Sequence, residues 1–115
     1  GISRLVWKPF TDDAVPPKWI SKVKEPSKIE GKVAVSCFIS GWCPATNIVY
    51  ERARRAAAEI GDKVVFQSID TTDRSILFEW GIADGVYIDG KNVQKGPPPS
   101  YEKIHKLIAK KARRL

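Results

Sequence analysis

Methionine is absent from this 115-residue sequence, histidine occurs once and cysteine only twice. A lone histidine, His105, with no second ligand at metal spacing, argues against a zinc site. The cysteines, Cys37 and Cys43, do not make a disulfide framework. Along an extended chain their Cα atoms would lie roughly 20 Å apart, well outside the ~7 Å that a disulfide tolerates. Two unpaired thiols lead to the expectation of a reducing, cytoplasmic location. No apolar run is long enough to span a membrane, so no membrane partner is expected. No glycine-rich phosphate cradle or dinucleotide fingerprint occurs either. The absence of methionine, with Gly1 at the start, leads to the expectation of a piece of a longer chain, with a neighbouring domain upstream.

Negative charge is the scarcer sign: 13 acidic against 20 basic residues give a net charge of +7. The excess gathers near the C-terminus, at Lys103, Lys106, Lys110, Lys111, Arg113 and Arg114. Nucleic-acid contact is the weaker reading of that face, because no recognition motif accompanies it. Ile104, Leu107, Ile108 and Leu115 supply an opposite apolar stripe, so the basic residues read as the solvated side of an amphipathic helix.

Residues 1–32 differ from the rest. Pro16-Pro17 and Pro26 exclude a helix and Lys22, Lys24 and Lys28 keep the stretch solvated, yet Trp7, Phe10 and Trp19 are too apolar for a flexible linker. They predict an extended arm whose aromatics pack on this domain or a neighbour, with an edge strand around Arg4-Leu5-Val6-Trp7.

From Val33 the pattern becomes regular. Val33 to Ile39 is apolar at nearly every position, as a strand covered on both faces should be. Pro44 to Ile60 carries Val49, Ala53, Ala56 and Ile60 at helical spacing, with Gly61 as its stop and Glu51 placed to pair with Arg55. Lys63 to Ile69 predicts a second strand, and Asp73 caps a short helix reaching Trp80. Asp89-Gly90, between Val86-Tyr87-Ile88 and Lys91-Asn92-Val93, is the strongest hairpin signal in the chain. Ser100 caps the last helix. The β-α-β-α-β-β-α order implies an α/β fold with a mixed sheet, two parallel strands and an antiparallel edge.

Chemistry points to Trp42-Cys43-Pro44-Ala45-Thr46, where the first strand gives way to the first long helix. Free backbone N–H groups and the positive end of a helix dipole favour thiolate over thiol there. The residue that would complete a Cys-x-x-Cys couple is Thr46. Only one of the two sulfurs of a redox pair is present.

This order and these residues resemble the thioredoxin and glutaredoxin superfamily, with Cys43-Pro44-Ala45-Thr46 similar to the glutaredoxin Cys-Pro-x-Cys motif. The resemblance implies a thioredoxin-like domain over 33–115, with helices on both faces of the sheet. Gly41-Trp42-Cys43-Pro44-Ala45, Ile48 to Arg52 and Gly96 to Lys103 look more closely like the YoaP-like domain found C-terminal to GNAT-family N-acetyltransferases. The arm, through Leu5 to Phe10, looks like the segment that joins the two. The resemblance implies an accessory domain that engages or regulates the substrate or partner of an upstream acetyltransferase in the same chain. No acetyl-CoA pyrophosphate loop is present. No cofactor is therefore expected here; acetyl-CoA would belong to the upstream domain.

Three departures from ordinary thioredoxins put disulfide oxidoreduction in doubt. Thr46 replaces the second cysteine, Asp84 stands where the family has a cis-proline, and Cys37 stands where it has a buried acid. The candidate site is Cys43 as nucleophile with Trp42, Pro44, Thr46, Asp84 and Gly85 around it. Cys43 reads either as a monothiol acting on a protein or small-thiol substrate or as the vestige of a site kept for binding. Trp42 is expected to shield or flank it; Thr46 reads as a plain first-turn threonine, with a cap or hydrogen bond near the thiolate as the alternative. Asp84 reads as a turn residue; beside Cys43 its carboxylate would raise the thiol pKa. Cys37 reads as an inert core thiol, Asp70 and Asp73 as turn and cap residues. A Cys43–His105 dyad is the remaining alternative.

Overall fold

The computed structural model describes residues 2–115. Its elements follow the expected order: β1 (Val33–Ile39), α1 (Pro44–Ile60), β2 (Val64–Asp70), α2 (Arg74–Trp80), β3 (Gly85–Ile88), β4 (Lys91–Asn92) and α3 (Tyr101–Arg113). The four strands form one sheet in the order β2-β1-β3-β4. β1 runs parallel to β2, from Val33 beside Val64 to Ile39 beside Asp70. It runs antiparallel to β3, with Val35 opposite Ile88 and Phe38 opposite Gly85. This mixed sheet with three helices is the thioredoxin-like arrangement.

The alternation of β1 divides the core. Val33, Val35 and Cys37 face α1 and α3, where they pack with Val49, Ala53, Ala56, Ile104 and Ile108. Phe38 faces the other side and packs with Ile69, Ile82 and Tyr87 against Trp80 of α2. Burying each such valine, isoleucine or phenylalanine contributes about 1.5–3 kcal/mol. Alanines at positions 53 and 56 bring α3 close to α1, and the Arg52 guanidinium donates to the Pro99 carbonyl (2.7 Å) just before α3 begins.

Local chemistry sets the element ends. Asp73 accepts from the backbone N–H groups of Ser75 and Ile76 at the start of α2. Asp89 and Gly90 both take positive φ, 48° and 79°, as a tight hairpin between right-twisted strands requires. Asp89 also accepts from the Ala34 backbone N–H (2.9 Å) and pairs with Lys111 (3.2 Å), tying β1, the hairpin and α3 together. In α1 the main partner of Glu51 is Arg54 (2.7 Å) rather than Arg55, which lies at 3.9 Å. In α3 the buried stripe ends on Ala112, and Leu115 lies beyond the helix and exposed.

The arm departs most from expectation. None of residues 2–32 enters the sheet, so the predicted edge strand at Arg4 to Trp7 does not form. The prolines at 9, 16, 17 and 26 remove ladder donors along this stretch. Trp7, Phe10 and Trp19 stay 44%, 89% and 67% exposed, so none of them joins the buried core. The anchored part is short: Val23 and Lys24 donate backbone N–H bonds to the Trp80 carbonyl (2.9 and 3.3 Å), and Lys24 sits 4.3 Å above the Trp80 ring. A radius of gyration of 16.7 Å, against about 13 Å for a compact chain of this size, reflects that extension. No helix is long and apolar enough to cross a membrane among the described residues.

Candidate functional site

β1 ends at Ile39, and Ser40-Gly41-Trp42 carries the chain to the start of α1. Cys43 is the N-cap residue, with extended backbone angles (φ −94°, ψ 108°), and Pro44 occupies the first turn. Its carbonyl accepts the first helical bond, from the Asn47 backbone N–H (3.1 Å). Cys43 is partly exposed, whereas Cys37 is fully buried; both thiols are free. Burial pushes the Cys37 thiol up to about 12, which leaves it inert.

Thr46 does more than fill a helical turn. It is only 1% exposed, and its hydroxyl accepts from the Gln94 side-chain amide (3.0 Å). The hydroxyl and, after it, the Thr46 backbone N–H hold the Cys43 thiol below its ordinary pKa. Burial and the charge of Asp84 act the other way and are outweighed. Asp84 is thus near enough to act on the thiol in the direction its carboxylate requires. Gln94 thus holds the Thr46 side chain, the group that most lowers the Cys43 pKa. Gln94 was not foreseen, and its carbonyl oxygen, like the Ser40 hydroxyl, is buried without a hydrogen-bond partner.

The other expected residues fall around this centre. Pro44 is exposed at the first turn, and Gly85 is buried at the start of β3, paired with Phe38. Trp42 is 72% exposed, so it flanks the thiol without shielding it. Asp70 and Asp73 are occupied by Thr72 and by Ser75 and Ile76, respectively. The Cys43–His105 dyad is not formed. His105 lies beside Glu59 (3.7 Å) near the far end of α1, and Glu59 is sixteen positions on from Cys43, roughly 24 Å along the axis. Among the described residues no three histidine, cysteine, aspartate or glutamate side chains gather as a metal site.

An apolar groove of about 420 Å³ opens beyond Asp84, between the arm and α2. Leu5, Trp19, Ile20, Leu77 and Ala83 line it. Thr71, buried at the end of β2, donates its hydroxyl to the Ala83 carbonyl and fixes the loop that joins groove and thiol.

No family model matches the chain. No curated protein matches it either. Among solved structures it is similar to the oxidised thioredoxin of Plasmodium falciparum, determined in solution, with 18% identity over 72% of this chain and 84% of that one and a TM-score of 0.46. The strand order and registers above define the fold of this chain as thioredoxin-like.

Proposed function

We propose that this thioredoxin-like domain is an accessory module of a GNAT-type N-acetyltransferase and engages that enzyme's substrate or partner at the surface around Cys43. The observation that supports it most is the arm: ten of the fifteen large apolar side chains left exposed lie before residue 30. Exposed apolar surface on that scale marks an interaction site, and the motifs of the arm and of Gly41 to Ala45 resemble those of the acetyltransferase-linked domain. The site itself fits engagement better than disulfide oxidoreduction, since a dithiol cycle needs a second sulfur and Thr46 stands in its place. Acetyl transfer would be measured on the enzyme joined to this domain and on the enzyme without it. The reading requires KM for the acceptor substrate to rise on removal and to hold in Cys43→Ser. An unchanged KM on removal would contradict it.

The support of Cys43 by Thr46 favours a second reading, a monothiol enzyme. The Cys43 thiolate would attack one sulfur of a small disulfide, form a mixed disulfide and expel the other sulfur as thiolate. An external thiol would then attack the mixed disulfide and regenerate Cys43. Oxidised glutathione is a suitable probe: this reading requires one mass adduct at Cys43, turnover with reduced glutathione, and loss of both in Cys43→Ser. Absence of an adduct on the native protein would exclude it.

A further inference from the structure

The arm has a second consequence on the other side of its anchor. Between Val23 and Pro26 it runs beside the β3–β4 hairpin, so closely that a methyl group on Gly90 would fall 2.8 Å from the Pro26 carbonyl oxygen. Arm and hairpin together border an open cleft of about 490 Å³, within the ~300–1,000 Å³ range of small-molecule sites. Three lysines, Lys22, Lys91 and Lys95, line it with a single carboxylate residue, Glu25. Glu25 is taken up by Lys22 at 2.5 Å, and among the described residues Lys91 and Lys95 have no carboxylate partner. The Tyr87 phenol and the Asn92 amide add neutral polar groups to the wall.

We infer that this cleft binds a small polyanion carrying phosphate or clustered carboxylate groups. Lysines suit such a ligand as point charges, with donors free to rotate toward it. The uncompensated charge, Lys91 and Lys95, lies on the hairpin side, the arm adds the Lys22–Glu25 pair, and Pro26, buried against the hairpin, holds the two segments together. The basic residues of α3 lack this arrangement: they spread along one exposed helix face and line none of the clefts described. The inference does not depend on Cys43 or on the proposed function.

The test is a titration of the full chain with inorganic pyrophosphate and, separately, with citrate, followed by amide chemical shifts. Saturable shifts confined to Gly90, Lys91, Asn92 and the arm near Lys22 are expected, weakening as salt is raised. Preference for pyrophosphate would assign a phosphate ligand, and preference for citrate a carboxylate one. The double variant Lys91→Ala/Lys95→Ala should weaken binding by about tenfold or more, with an unchanged far-ultraviolet spectrum. Lys106→Ala/Lys110→Ala on α3 should leave it unaltered. Failure of both probes to saturate at millimolar concentration would overturn the inference. Equal weakening by the two double variants would also overturn it, since that is general attraction to a basic protein.

Discussion

Thr46 is the side chain that most lowers the Cys43 pKa. Replacing it by valine removes the hydroxyl from the sulfur and should raise the Cys43 pKa; Asp84→Asn removes an opposing charge and should lower it. Alkylation rate against pH reads both changes, which must have opposite signs. Thr46→Val also strands the Gln94 amide inside the fold, at a cost of about 1–3 kcal/mol, so its urea midpoint should fall. A folded-state pKa below the unfolded one means that the thiolate contributes stability above the unfolded pKa, near ~8.5. That contribution is lost as pH falls through the folded value. Cys37 should behave oppositely in reactivity: one thiol alkylates in the native protein and the second only after unfolding. Cys43 was legible in the sequence because a cysteine followed by Pro44 at a strand-to-helix junction is a local pattern. Gln94 was not. It reaches Thr46 across 48 residues, and a single glutamine after a two-residue strand carries no signal of that contact.

Among the elements, α2 depends most on its ends. It has only seven residues, well below the ~12–15 needed for independent helix stability. Asp73→Ala should destabilise the protein by about 1 kcal/mol through loss of the cap, measured by urea unfolding. Hydrogen bonds from the Ser75 hydroxyl and then from the Ser75 and Ile76 N–H groups hold the Asp73 carboxyl below its ordinary value. Its share of stability is therefore present above the unfolded aspartate pKa, near ~3.9, and disappears as pH falls through the folded one. At the other end Gly81 takes φ 70°, and a methyl there would fall 2.1 Å from the Ser21 carbonyl oxygen. Gly81→Ala should displace the arm, seen as loss of amide protection at Val23 and Lys24. These elements could be read from periodicity and caps, since Val33 to Ile39, Asp73, Asp89-Gly90 and Ser100 each state a local rule. The arm could not: its aromatics announce burial, yet Trp7, Phe10 and Trp19 stay 44%, 89% and 67% exposed against residues 33–115.

For the whole molecule, the arm and the sheet behave as unlike partners. The folded part buries most of its large apolar side chains, whereas the arm leaves Ile2, Val6, Phe10 and Val15 almost wholly in solvent. Deletion of residues 1–20 should leave the helix and strand content intact and lower the binding of an apolar dye several-fold, by removing the largest exposed apolar surface. Unchanged dye binding would mean that the groove beside Leu77 is the apolar surface that counts. The same deletion keeps Lys22 and Glu25, so the polyanion cleft should survive it while the apolar groove, which loses Leu5 and Trp19, should not.

The claim that carries the account is that Cys43 is an accessible thiol held toward its thiolate by Thr46. Its pKa, taken from alkylation against pH in a Cys37→Ala background, tests this most directly. The account predicts a midpoint below that of an ordinary thiol, rising when Thr46 becomes valine. A midpoint at or above the ordinary value, unmoved by Thr46→Val, would contradict it.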